Sequence, residues 1–504
     1  MSIPIINLTK VTKHTDILLS GLFGLVYYLF WGYEGIGNDM IEIIPALKKM
    51  VHPELYPNDF YLNFTKTLLL HERSFILQFY HFIHGINPLH IFIVYCICLF
   101  FFILGLFRIF AFFIPSHTAV SFGLIIILFI AKYTSIGGNE LFYSSPASAI
   151  FSKTLCIWAL LFKLKRKNTW SYLLLIPATY FHVLVGFQFF LILVASEILT
   201  EFSISRIKEQ LKLSIPFIVA TIPYLFAIFI SRKNPHGHGT SFLDLIEFRL
   251  GHHFIIQYNS VLNMTFYLIL YFFCLYYWKQ KSKLLYHFCI IQGAILLLYL
   301  VLVNIFRIEQ GLQLQWLKTT IWIELLGVLG FCSLLYANFS NLIQQRTSQY
   351  IIAALLLAIP VSKQWKEKED HFKLTEEIDL AKWSKSNTPI EATFVYPIDF
   401  TRFKSISERS SWIDYKTISH QKAYFIPWAD RIDKIFQIGL SDRKNKVDLI
   451  KKAQMNYSKM NESTLDYLIN NQSVDYIILP TRLELSAIVK PVFSTTSFTI
   501  YCKK

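Results

Sequence analysis

Runs of apolar residues too long and too numerous for a soluble core dominate this sequence, near residues 16–33, 89–114, 118–133, 148–163, 171–182, 185–200, 212–230, 264–278, 285–305, 317–337 and 348–362. A helix that crosses a bilayer needs about 20 predominantly apolar residues. The pattern predicts a polytopic α-helical membrane protein with about 11 transmembrane helices. The runs 171–182 and 185–200 are short and separated only by His182 to Leu184, so a single broken helix is a second reading of that stretch. Charge agrees with lipid as the solvent: only 16% of the chain is charged, where soluble proteins carry roughly 25%. Lys plus Arg number 48 against 33 Asp plus Glu, and these cations cluster in short connections between apolar runs. That placement fits anionic headgroups of a lipid bilayer and argues against nucleic acid as a partner. Six of the seven cysteines fall inside apolar runs, which leaves no disulfide framework.

The basic clusters set an expected orientation. Lys10 and Lys13, Arg108, Lys163 to Lys167, Arg206 to Lys212, Lys279 to Lys283 and Arg346 fall on alternate connections, which become cytoplasmic by the positive-inside rule. The N-terminus is then cytoplasmic, and the first run, lacking a small-residue cleavage site, reads as a retained signal anchor. Outward loops are expected at 34–88, 134–147, 231–263 and 306–316 within a spanning domain of residues 1–362. From 363 to 504 hydropathy collapses. Helix-like stretches at 376–386, 428–439, 447–455 and 463–470 alternate with strand-like ones at 392–396, 411–415, 476–479 and 497–501, predicting a small C-terminal soluble α/β domain outside the membrane.

The outward loops hold the residues that could carry chemistry. Asp39 follows the first run, in Gly35-Ile-Gly-Asn-Asp39, and opens an amphipathic stretch with Met40, Ile43, Ile44, Leu47 and Met50 on one face, the pattern of an interfacial helix. A carboxylate held there can bind a divalent cation or take a proton from a hydroxyl; capping the helix is the plainer reading of the spacing. Asp59, in a Pro-Asn-Asp turn, raises the same choice. Glu140 follows Gly137-Gly138, where two glycines permit close backbone approach, and a plain turn is the other reading. His182 lies beside the break between two runs, a costly place for an imidazole unless it binds something or bonds a neighbouring helix. The loop beyond Ser231 carries His236, His238, Asp244, Glu247, Arg249, His252 and His253; Arg249 and His253, four apart, would share a helical face and could clamp a phosphate. Arg307 is a further cation for an anionic ligand.

This layout resembles the GT-C superfamily of integral-membrane glycosyltransferases, and within it an uncharacterised bacterial multi-spanning family. The resemblance rests on Asp39 in Gly-Asn-Asp after the first run, Glu140 in Gly-Gly-Asn-Glu, and shorter motifs at Tyr56-Pro-Asn-Asp-Phe-Tyr61, Phe181-His-Val-Leu-Val-Gly186 and His252-His253. It implies transfer of a sugar from a polyprenyl-phosphate or polyprenyl-diphosphate donor to an envelope glycan, lipid or protein acceptor, outside a bacterial inner membrane. Asp39 and Glu140 would be catalytic, with Asp39 as base or as ligand to a divalent cation, Mg or Mn. Arg249, His252, His253 and Arg307 would neutralise the donor phosphate, and Asp59 and His182 would line the cavity. Asp39 stands alone where the superfamily often has an acidic pair, which favours the base role over the metal role. Two other classes compete with this reading. A transporter or flippase would need ionisable residues within the spans, and the runs are nearly free of acids; a non-catalytic envelope assembly protein would use its tail for interaction.

Overall fold

The computed structural model describes residues 13–130, 136–230, 241–312, 314–356, 358, 375–481 and 488–504. It divides into two compact units. The first comprises Met1–Tyr33, Phe92–Phe226 and Leu250–Trp365, and the second comprises Glu34–Ile91, Ala227–Arg249 and Lys366–Lys504.

Among the described residues six helices are long and apolar enough to cross a membrane: Pro88–Phe113, Val183–Thr200, Ile204–Ile230, Val261–Lys281, Lys283–Ile305 and Glu309–Ile343. Leu211, Ile215, Val219, Ile222 and Phe226 stand exposed along one of them, and Leu262, Ile269, Phe272 and Tyr276 along another. Such uncovered apolar rows are stable in lipid, and they give the chain the character of a multi-pass integral membrane protein. Eleven spans are not established. The runs near 118–133, 148–163 and 171–182 fold as His117–Ile125, Ser148–Leu164 and Asn168–Phe181, of 9, 17 and 14 residues. At 1.5 Å per residue the last covers about 21 Å of a hydrocarbon layer about 30 Å thick. A π-helical turn, Ile126–Ile130, extends the first of these; residues 131–133, and 357 and 359–362 of the last run, lie outside the described residues.

The 171–200 stretch is two helices. Asn168–Phe181 and Val183–Thr200 meet at His182, whose backbone is extended at φ −147° and ψ 100°. The chain folds back so tightly that a Cβ on Gly186 would lie 2.3 Å from the Thr179 amide nitrogen. Nor is this unit free of buried charge. Lys163, expected among the loop cations, is buried 3.2 Å from Glu197 Oε1 and donates to the Tyr172 hydroxyl at 3.0 Å. Arg206 also pairs with Glu197 at 2.5 Å, and Arg108 with Asp16 at 3.0 Å.

The second unit is built on a five-stranded sheet: β1 Thr393–Val395, β2 Ser410–Ser411, β3 Tyr476–Pro480, β4 Val489–Ser494 and β5 Phe498–Lys503. Their order is β2-β1-β3-β5-β4; β1 runs parallel to both β2 and β3, and β5 runs antiparallel to β3 and β4. Burial of all of β1 suits its Thr-Phe-Val sequence, since β-branched and aromatic residues fit a strand covered on both faces. Phe394, Ile478 and Ile500 meet Leu380 of helix Thr375–Asn387 and Phe403 in one core. Of the expected 411–415 strand only Ser411 pairs with the sheet, as the second residue of β2, and β4 was not expected. Three helices of the 34–91 segment, Met40–Val51, Phe60–Lys66 and Ser74–Phe82, belong to the same unit. Of the apolar face of Met40–Val51, Met40, Ile43 and Leu47 are buried in the protein, Ile44 is half-buried and Met50 is exposed.

Candidate functional site

A corner of the second unit gathers ionisable groups from three stretches of chain. Asp39 sits at the start of helix Met40–Val51, but its side chain makes no capping bond there. Its Oδ2 lies 2.8 Å from Nη1 of Arg73, the residue that precedes helix Ser74–Phe82. Nε of the same guanidinium lies 3.3 Å from Glu42 Oε2, one turn into the first helix, so a single fork joins the starts of two helices. Glu42 Oε1 accepts the Ile418 amide at 3.4 Å. Two residues on, His420 Nδ1 is 3.1 Å from Glu72 Oε1.

The charges in this corner act on one another. Burial pushes the Glu42 carboxyl up to about 7; Arg73 opposes this, while the negative charges of Asp39 and Glu72 add to it. Burial works in the same direction on Glu72, but the His420 hydrogen bond and the nearby His420, His71 and Arg73 charges prevail and hold it below the usual carboxylate range. Burial alone would lower Arg73, yet Asp39, Glu42 and Glu72 raise it. The result is a fixed cation shared by two carboxylates, beside an imidazole held by a third. Asp39 keeps 36% of its side chain exposed, whereas Arg73 and Glu42 are largely buried. Groups of these kinds can orient a hydroxyl, accept its proton and hold a nearby anion.

Asp59 has a different position. Its side chain is fully buried, caps helix Phe60–Lys66 by accepting the Leu62 amide at 2.8 Å, accepts the Ser411 amide at 3.1 Å and lies 3.5 Å from Lys404 Nζ. These contacts point it into protein rather than into a cavity. Arg249 donates Nε to the Tyr415 carbonyl at 2.9 Å and lays its guanidinium over the Tyr415 ring, 4.4 Å from the centroid. Helix Phe242–Phe254 is interrupted at Leu250, with φ −127° and ψ 21°, so the spacing of Arg249 and His253 gives no continuous helical face.

The remaining candidates lie in the first unit. Gly137 and Gly138 both have positive φ, and a Cβ on Gly138 would meet the His252 ring at 2.8 Å and the His253 ring at 3.0 Å. The close approach expected of these glycines is therefore to two imidazoles with centroids 4.0 Å apart and planes tilted by 39°, one of which bonds the Gly137 carbonyl through Nδ1. Asn259 ties the turn further, accepting the Gly137 amide at 2.7 Å and donating to the His252 carbonyl at 3.0 Å. The Glu140 carbonyl accepts from buried Lys153, whose ammonium also reaches Asn139 Oδ1 at 3.0 Å. His182 caps Val183–Thr200 by accepting the Val185 amide at 3.4 Å, and Arg307 is an exposed residue in the left-handed conformation. His236 and His238 lie outside the described residues.

Sequence reasoning passed over Arg73, Glu42, Glu72 and His420. The available signal was His71-Glu72-Arg73, three consecutive ionisable residues directly after the apolar run Leu68-Leu69-Leu70; His420 has no motif around it. Among the described residues no three His, Cys, Asp or Glu side chains come together to hold a divalent cation, and a guanidinium occupies Asp39 Oδ2, where a metal would bind.

A domain of unknown function, DUF6798, matches residues 375–435, which run from the start of helix Thr375–Asn387 past β1, β2 and His420. No curated protein matches the chain.

Proposed function

We propose that this protein is a membrane glycosyltransferase of GT-C type, moving a sugar from a polyprenyl-phosphate or polyprenyl-diphosphate donor to an acceptor hydroxyl on the outer side of a bacterial inner membrane. The observation that carries the reading is Asp39. It follows the first apolar helix, is not spent on capping, and stays partly exposed with one oxygen on Arg73. In the reaction the acceptor oxygen bonds to the anomeric carbon and gives up its proton to a base beside it, as the donor phosphate leaves with the bonding electrons. Asp39 draws the acceptor hydroxyl into line and offsets positive charge developing on the sugar, while Arg249, braced on Tyr415, is a cation for the leaving phosphate. The positive-inside pattern supports a cytoplasmic N-terminus and an outward second unit. No step is assigned to Glu140, His252, His253 or Arg307. Transfer from radiolabelled polyprenyl-phosphate sugars by the purified protein in lipid nanodiscs is the test: Asp39→Asn should lower it at least about 100-fold, and full activity in that variant would end the assignment.

A second reading, transporter or flippase, draws on one observation. Glu324, in spanning helix Thr320–Ile343, is buried, leaves Oε1 without a hydrogen-bond partner, and lines a cavity with Tyr27, Phe102, Leu141 and Phe142. A buried acid in a span is costly and is a functional candidate. Flux of a labelled lipid-linked sugar across protein-containing vesicles, abolished by Glu324→Gln, would favour this reading over transfer.

A further inference from the structure

We propose that His420, held by Glu72, takes the proton from the ligand's hydroxyl at the Asp39–Arg73 corner; this rests on the transfer reading above and names the base that reading requires. An effective base there needs an unprotonated atom facing the ligand and a partner that fixes its orientation. Asp39 meets this poorly, because its Oδ2 is already engaged by Arg73 Nη1 at 2.8 Å. His420 meets it well. With Nδ1 3.1 Å from Glu72 Oε1, the imidazole donates its N–H to that carboxylate and keeps the lone pair of Nε2 for a second partner. Glu72 is held as a carboxylate against its burial by the hydrogen bond from His420 and the charge of neighbouring Arg73. An ionised carboxylate on Nδ1 also stabilises the imidazolium that forms when Nε2 gains a proton, as in other carboxylate–histidine pairs.

Position supports the same assignment. His420 is two residues from Ile418, whose amide binds Glu42, and Glu72 is next to Arg73 in the chain. Both His420 and Glu72 keep about a third of their side chains exposed, 34% and 37%, so a ligand or reagent in solvent can reach the pair. In the step itself the acceptor O–H proton moves to His420 Nε2 as the acceptor oxygen bonds to the anomeric carbon, and the sugar–phosphate bond breaks with its electrons going to the phosphate. The imidazolium then returns its proton to water. Glu72 is a positioning residue that acts only through the ring.

Two measurements on the full-length protein test the pair. The first needs no substrate: carbethoxylation of each histidine by diethyl pyrocarbonate, followed by peptide mass spectrometry. His420 should react at Nε2, and Glu72→Gln should slow that reaction several-fold with the melting temperature held close to wild type. No reaction at His420, or an equal rate in the variant, overturns the dyad. The second is transfer from a radiolabelled polyprenyl-phosphate sugar. His420→Gln should lower kcat about 100-fold with KM little changed, and an active His420→Gln protein overturns the base role while leaving the transfer reading in place. A wild-type protein that transfers nothing but shows Glu72-dependent carbethoxylation ends the transfer reading and keeps the dyad.

Discussion

Lys404 Nζ lies 3.5 Å from Asp59 Oδ2 with its side chain only 2% exposed, and 3.4 Å from Asp414 Oδ2 on another side. One buried ammonium thereby serves two buried carboxylates, and Asp59 brings with it the cap of helix Phe60–Lys66. Burial by itself would lower the Lys404 pKa, and Asp59 and Asp414 raise it instead, so the lysine stays charged. The contact fastens the 34–91 segment to the strand-rich part of the same unit, so the corner holding Asp39, Arg73 and His420 depends on it.

Replacing Lys404 with Met leaves both carboxylates buried without a cation. Breaking a buried pair from one side typically costs about 3–5 kcal/mol. The second unit of Lys404→Met should therefore unfold at clearly lower denaturant than wild type, followed by tryptophan fluorescence at Trp412 and Trp428. Adding Asp59→Asn should recover part of the loss. A single variant within about 1 kcal/mol of wild type would show that the pair contributes no more than a surface one.

Glu377 gives a pH dependence whose sign can be worked out. It is buried, accepts the Arg402 and Phe403 amides at 2.5 and 2.7 Å, and burial raises its pKa from 4.5 to about 7 against those two hydrogen bonds. Below about pH 4.5 the group is protonated in both folded and unfolded chains and costs nothing. Between that value and about 7 the unfolded chain ionises first, so stability falls as pH rises, and above 7 the full penalty remains. Glu377→Gln keeps a neutral acceptor for both amides. Its stability advantage over wild type should grow from near zero at low pH to about 3 kcal/mol at pH 8; a difference that does not change with pH would contradict the burial argument.

The sequence revealed some levels of this structure and hid others, for physical reasons. Apolar run length locates a helix, because the requirement for buried backbone hydrogen bonds is local; Pro88–Phe113 and Ile204–Ile230 were legible for that reason. It does not separate a full crossing from a shorter apolar helix such as Asn168–Phe181, whose role depends on what packs around it. Nor does it separate a loop cation from a buried one: Lys163 reads as a topology signal and is held inside by Glu197 and Tyr172. In the tail, β1 and β3 were visible as β-branched and aromatic runs, whereas β4 carries Lys490 and Pro491 and is recognisable mainly by its pairing with β5. At the candidate site Asp39 was found by its place after the first helix. Arg73 and His420 were not, because their significance comes from contacts across 34 and 348 residues of chain, to Asp39 and Glu72.

Arg409 should resist even a conservative change. Its guanidinium donates to the Thr388 hydroxyl at 3.0 Å and to the carbonyls of Thr388 and Lys385 at 2.7 Å each, closing the C-terminal end of helix Thr375–Asn387. A lysine ammonium cannot reach these acceptors as a planar fork. Arg409→Lys should lose about 2 kcal/mol, read as faster amide hydrogen exchange confined to the last turn of that helix. Unchanged exchange there would mean that the helix end is held by other contacts.

Two glycine-to-alanine changes in the first unit separate helix propensity from close packing. Gly21, in helix Lys13–Trp31, has nothing within 4 Å of an added Cβ. Alanine there should be neutral or stabilising by up to about 1 kcal/mol, the propensity difference between the residues. Gly186 lies in helix Val183–Thr200, where the same added carbon would fall 2.3 Å from the Thr179 nitrogen and 2.6 Å from the Ala178 carbonyl carbon. Backbone atoms cannot swing aside as a flexible side chain does, so the two helices must separate around His182. Overpacking of this kind costs about 1–3 kcal/mol or more. Thermal unfolding of the two variants in the same detergent, monitored by loss of the monodisperse size-exclusion peak, should show Gly186→Ala melting well below wild type and Gly21→Ala at or above it. Equal melting of the two would mean that the 168–200 hairpin is looser than its geometry implies, and with it the cap that places His182.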